Sequence, residues 1–183
     1  TIEKFTLGTS LMALTHQYKQ EKKFSIKISG DIKNIDAYDI SSQEIKLHNL
    51  HLAGLSGLKR LNIFFTRTAP EVIDLSQNRL IEDLDLIDLQ NLKTVIIPTT
   101  NNINSIRLYG TELTTQSVDQ VIDRVYRSVV QRPRSGWFGL ALSWAQDSAS
   151  DDMVGPPSNY SLNKLRKLRN SYGWELYPDF DNN

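Results

Sequence analysis

The 183-residue sequence contains no cysteine. That absence excludes disulfides, a thiol nucleophile and any zinc site built on thiolates, and it leaves the redox compartment open. Neither sign of charge is in excess either. Twenty-one basic residues balance 21 acidic ones, so long-range attraction to nucleic acid has no support and no nucleic-acid partner is expected. No apolar run approaches the roughly eighteen residues of a membrane span, and the opening TIEKFTLGTS lacks the charged-then-apolar layout of a signal peptide. A chain that opens on Thr reads as trimmed, so the missing leader does not argue against export. Glycine is sparse at nine residues, and none of them sets up a phosphate loop; no G-x-S-x-G elbow or Ser/His/Asp arrangement can be picked out.

What is present is ordinary in amount and unusual in order. With 39% hydrophobic and 23% charged residues the chain suits one globular domain burying roughly 70% of its unfolded surface. The pattern apolar-x-x-apolar-x-apolar occurs as Leu58-Leu61-Ile63, Ile81-Leu84-Leu86, Leu92-Val95-Ile97 and Ile103-Ile106-Leu108, with a weaker copy from Pro70 through Ile73 and Leu75 to Asn78. Its apolar-x-apolar core has the period of two of a strand. Alternate copies separate into two series, Ile28, Leu52, Leu75 and Ile97 in one, Ile63, Leu86 and Leu108 in the other. Steps of about 22 residues predict a coil with two short extended edges, each turn covering the apolar side of the last. The competing reading is a sandwich of short strands, which gives no reason for the strict copying.

The segment PEVIDLSQN, Pro70 to Asn78, resembles the leucine-rich-repeat consensus L-x-x-L-x-L-x-x-N, with Pro70 in the first Leu slot and Asn78 in the Asn slot. The resemblance implies that the Asn side chain bonds the backbone inside the turn, and Thr100 falls in the same slot 22 residues later. The paired halves and the C-terminal ending are similar to short leucine-rich-repeat proteins exported by gut-type Bacteroidetes. The expected fold is therefore α/β: a right-handed solenoid with short parallel strands, closed by a C-terminal β-α-β-α-β cap. Within a single domain, residues 1–23 are read as an N-terminal cap, 24–110 as degenerate repeats and 111–183 as the C-terminal cap.

In that cap, Val118, Val121, Ile122, Val125 and Val129 share one helical face, with Thr114 or Thr115 at the N-cap and Asp119 near the positive end of the dipole. Leu140 and Leu142 read as the next strand. From Ser161 a second helix carries Leu162, Leu165 and Leu168 on one face and ends at Gly173, before a last strand with Trp174 and Leu176. Trp137 and Trp174 are expected in the core.

Several constellations invite chemistry. His48 and His51 lie three apart in an extended segment, where they face opposite sides and cannot share an ion. Glu82, Asp83, Asp85 and Asp88 read as a solvated strand face rather than an acid pair in a cleft. Asp147, Ser148, Asp151 and Asp152, in the Gln146–Asn159 loop, have the oxygen chemistry of a calcium site without its EF-hand spacing. Lys164, Arg166, Lys167 and Arg169, with Arg124, Arg127, Arg132 and Arg134, read as the polar outer side of the capping helices. No catalytic, cofactor-binding or metal residue is assigned, no cofactor is required and no enzyme is expected.

A solenoid exposes a wide surface between its inward residues. Partner-binding residues are expected at Lys27, His51, Asp74 and Ile96, with Ser29, Ser76 and Ser143 alongside and Trp144 as an exposed contact. The expected function is a monomeric, non-catalytic module that binds an unidentified protein or surface glycan. The resemblance implies adhesion or recognition at the bacterial cell surface or beyond it. A carbohydrate- or calcium-dependent role built on the loop at 146–159 is the alternative.

Overall fold

The structure, a computed structural model, describes residues 37–41, 47–64, 68–141 and 155–179. Strands β1 (Ala37–Ser41), β2 (Arg60–Phe64), β4 (Asp83–Ile87), β6 (Ser105–Tyr109), β7 (Trp137–Ala141) and β8 (Glu175–Tyr177) form one six-stranded sheet in that order. Strands β3 (Val72–Asp74) and β5 (Thr94–Ile96) form a second, two-stranded sheet. Helix α1 (Thr115–Gln131) links β6 to β7, and α2 (Asn159–Tyr172) links β7 to β8. Every strand pair is parallel. The chain is thus α/β, with a β-α-β-α-β ending as expected, and among the described residues no helix is long and apolar enough to cross a membrane.

The register explains the sequence period. Ile40 stands beside Ile63, Ile63 beside Leu86, Leu86 beside Leu108 and Leu108 beside Leu140. Ile63, Leu86, Leu108 and Leu140 are fully buried, as are their companions Leu61, Leu84, Ile106 and Phe138 two positions earlier. Alternation is what allows this, because every second side chain of a strand points to one face. Ile73 pairs with Val95 in the small sheet, and Leu52, Leu75 and Ile97 join the same hydrophobic core. The series that begins at Ile63 therefore reaches back to Ile40. The other is less regular: residues 47–52 form no strand, and only Leu75 and Ile97 adjoin the two-stranded sheet.

Buried asparagines hold the turns between the sheets. Asn78 is fully buried, and its Nδ2 donates to the carbonyls of Leu52 at 2.9 Å and Leu55 at 2.8 Å. The inside-turn bond expected of this slot is present. Its later counterpart is Asn101, not Thr100. Thr100 is exposed, whereas Asn101 is fully buried, donates to Pro98 O at 3.1 Å and accepts from Ile103 N at 3.3 Å. An amide has both a donor and an acceptor to give such a turn, and a threonine one position out of register has no backbone to reach.

Helix α1 closes the open edge of the small sheet. Ser117 lies 22 residues after Val95, where a third strand would stand, and its Oγ accepts the Val95 N–H at 3.0 Å. Ser128 Oγ donates to Asn101 O at 2.6 Å, Arg132 donates to the same carbonyl at 3.0 Å, Arg134 reaches Ile103 O at 2.9 Å, and Arg124 donates to Ile97 O. Side chains of α1 and of the segment that follows it so bond to the edge of β5 and the residues after it, where a further strand would pair. Arg124, Arg132 and Arg134 are accordingly not an outer polar face. Arg124 and Arg134 are half-buried against these carbonyls, while Arg132 stays exposed along the rest of its side chain.

The helix readings otherwise hold. All five apolar residues of the α1 face are buried, Thr114 is its N-cap, and its Oγ1 accepts from Ser117 N at 3.2 Å. Helix α2 starts at Asn159 behind the N-cap Ser158 and ends at Gly173, whose φ of 71° is the left-handed value a C-cap requires. Leu165 and Leu168 are buried and Leu162 packs partly against the core. Asp119 lies beyond the first turn of α1, and its Oδ1 accepts the backbone N–H of Ser158 at 2.9 Å, joining the two helices.

Candidate functional site

The outward positions of the six-stranded sheet gather the side chains that the core does not use. On the middle row Asp39, Asn62, Asp85, Arg107, Gly139 and Tyr177 stand side by side. Asn62 donates to Asp39 at 2.6 Å, and Arg107 Nη1 donates to Asp85 Oδ2 at 2.8 Å. Asp85 was expected on a solvated face, yet it is only 8% exposed, and its Oδ1 has no hydrogen-bond partner among the described residues. Burial raises its pKa, and the charge and hydrogen bond of Arg107 pull it back. Of its acidic neighbours in sequence, Glu82 and Asp83 are half-buried, and Asp88 occupies a left-handed turn with φ of 53°.

An aromatic group flanks this row. Trp137 and Tyr109 meet edge to face at 6.0 Å between centroids, Tyr109 and Tyr177 at 6.1 Å, and the Arg107 guanidinium lies 5.2 Å from the Trp137 ring centre. Gly139 makes the arrangement possible. A methyl group there would stand 2.2 Å from Trp137 Cη2 and 2.5 Å from the Tyr109 hydroxyl, so any larger residue would displace the rings. Tyr109 is buried, which pushes its pKa up, while Trp137 is half-buried and Tyr177 remains 46% exposed.

Trp137 was expected in the core, and the strand's alternation overrules that. Phe138 and Leu140 occupy the two inward positions, leaving Trp137 on the opposite face. Trp174 is core as expected, 1% exposed, with its Nε1 donating to Arg134 O at 2.8 Å.

The expected partner-binding residues divide. His51 and Asp74 line one shallow cleft of about 130 Å³ with Leu52, Ser76 and Gln77, and Ile96 stands beside Asp74 across the small sheet. Asp74 already accepts the backbone N–H of Ser76 at 2.8 Å, so its carboxylate is partly committed to a local turn. Lys27, Ser29, Ser143 and Trp144 lie outside the described residues, as do Asp147, Ser148, Asp151 and Asp152 of the loop and the N-terminal cap at 1–23. His48 and His51 are both exposed.

A larger open groove of about 800 Å³ runs between α1 and α2, past Gln116, Gln120, Asp123, Tyr160 and Lys164. Its charges are already engaged, Asp119 and Arg124 by backbone groups and the others by each other. Asp123 pairs with Lys164, which is nearly buried, and with Arg127 at 2.8 Å. Burial works to raise the Asp123 pKa, but the hydrogen bonds and charges of Lys164 and Arg127 outweigh it and hold the carboxyl below its ordinary value. Lys164 Nζ also lies 3.9 Å from the Tyr160 ring centre. Of these contacts the Asp123–Lys164 pair fastens one helix to the other.

No protein-family model, curated protein or solved structure matches the chain. The outer face of the six-stranded sheet therefore speaks through its own chemistry. It offers a guanidinium held by a carboxylate and three rings in contact.

Proposed function

We propose that the chain is a degenerate leucine-rich-repeat solenoid and a non-catalytic recognition module that binds a protein partner on the outer face of its six-stranded sheet. The observation that carries this reading is the cluster of Arg107, Trp137, Tyr109 and Tyr177 at adjacent outward positions. Tryptophan, tyrosine and arginine are the residues that dominate binding energy at protein interfaces. Here their geometry is fixed before any partner arrives, by Asp85 on one side and by the room above Gly139 on the other. Such preorganisation lowers the entropy lost on association.

The repeated register from β1 through β6 and the buried Asn78 and Asn101 support the solenoid. Display at or beyond the bacterial cell envelope, as an adhesion or recognition protein, follows from the family resemblance alone.

The test is site-specific photocrosslinking in extracts of the source organism. A benzophenone side chain replacing Ser105 on the outer face should yield a discrete adduct that disappears in the Trp137→Ala background. The same probe at Asp74, on the small sheet, should yield none. Adducts at Asp74 alone would move recognition to the His51 cleft, and adducts indifferent to Trp137 would contradict the proposed face.

A further inference from the structure

We infer that the partner presents a cationic, extended segment to this face, an inference that rests on the reading of the face as a recognition surface. The outward positions of the six strands carry four carboxylates, Asp39, Asp83, Asp85 and Glu175, against two guanidinium groups, Arg60 and Arg107. Arg107 is engaged by Asp85, and Asp39 by the Asn62 amide. Asp83 and Glu175 have no counter-ion among the described residues, for Arg60, beside Asp83 in register, does not close an ion pair on it. The molecule as a whole is neutral, so the negative excess is a property of this surface. It favours encounter with a cation and disfavours an anion.

Position sharpens the argument. Asp83, Ser105, Trp137 and Glu175 occupy one row on four adjacent strands. Neighbouring strands lie about 4.8 Å apart, which separates the two free carboxylates by roughly 14 Å with Trp137 between them. An extended chain advances about 3.4 Å per residue. A segment laid across the strands therefore meets both carboxylates with cations roughly four positions apart, and sets an intervening side chain on Trp137. The rings add to the attraction, because an aromatic face favours Lys or Arg. Arg107 beside Trp137 is an internal instance of that contact. A neutral glycan could stack on the rings and donate hydroxyls to the carboxylates, but it would gain nothing from the net negative charge of the face.

The experiment is selection of a displayed library of random linear peptides on the immobilised full chain, followed by affinity measurement on variants whose melting temperatures match the parent. The expected peptides carry paired Lys or Arg. Their affinity falls about tenfold with Asp83→Asn plus Glu175→Gln, weakens with added salt, and is lost with Trp137→Ala or Tyr177→Ser. Peptides without basic bias that need Trp137 but ignore the two neutralisations would overturn the charge inference and leave the recognition surface standing. Peptides indifferent to Trp137 and Tyr177, or no enrichment at all, would overturn both.

Discussion

At the scale of single residues, a few side chains do work that no neighbour can replace. Asn78 closes a turn by bonding two carbonyls from one buried amide. Asn78→Ala strands both acceptors and should destabilise the fold by about 2–3 kcal/mol, measured by urea unfolding. Thr100→Ala, on an exposed residue, should change it by less than about 0.5 kcal/mol. Asp123 gives a pH-dependent counterpart. Its folded pKa lies below the ordinary value of 3.8, so its stabilising contribution is present above that value and is lost as pH falls through the lower folded one. Asp123→Ala leaves Lys164 in the helix interface without its partner and should cost about 2–3 kcal/mol at neutral pH. The cost should diminish as pH falls below the ordinary 3.8 and through the lower folded value, and a constant difference across the titration would contradict the assignment. Gly139→Ala forces Trp137 and Tyr109 apart and should shift tryptophan emission, at a cost of about 1–3 kcal/mol.

At the scale of elements, legibility in the sequence followed periodicity. The three-then-two spacing exposed the strands around Leu61, Leu84 and Ile106 because their inward positions are uniformly aliphatic, and the α1 face was plain for the same reason. Strand β1 was less visible because Tyr38 stands where the other copies carry an aliphatic residue, although Ile35, Tyr38 and Ile40 keep the same spacing and Ile40 lies the usual step before Ile63. The orientation of Trp137 was available from parity: Leu140 inward implies Phe138 inward and Trp137 outward. The recognition surface was not available in this way. Arg107, Trp137 and Tyr177 come together across two helical connections of unlike length, and side chains joined by such a register leave no recurring interval in sequence. Asp85, Arg124 and Arg134 escaped for a related reason, because composition shows charge but not the carbonyl or guanidinium that will meet it. The capping role of α1 makes its own prediction. Ser117→Ala deprives the Val95 N–H of its acceptor and should cost about 1–2 kcal/mol, with faster amide exchange confined to β5. Uniform acceleration along the chain would show instead that the helix, not the edge, had been disturbed.

At the scale of the whole molecule, one rule of register serves both stability and function. Residues 22 or 23 positions apart stand side by side through β1, β2, β4 and β6, so the same winding that buries the leucines also aligns the outward row. The absence of native cysteine allows a direct check by paired substitution. Arg60 and Asp83 are register neighbours, as are Asp83 and Ser105, whereas Arg60 and Ser105 are two strands apart. Adjacent strands put the first two pairs about 4.8 Å apart, inside disulfide range, and the third at about 9.6 Å, outside it. Under mild oxidation Arg60→Cys with Asp83→Cys, and Asp83→Cys with Ser105→Cys, should each form an intramolecular disulfide while Arg60→Cys with Ser105→Cys stays reduced. Rapid bonding of the distant pair, with the two neighbouring pairs left as free thiols, would contradict the stacked register and the recognition surface built on it.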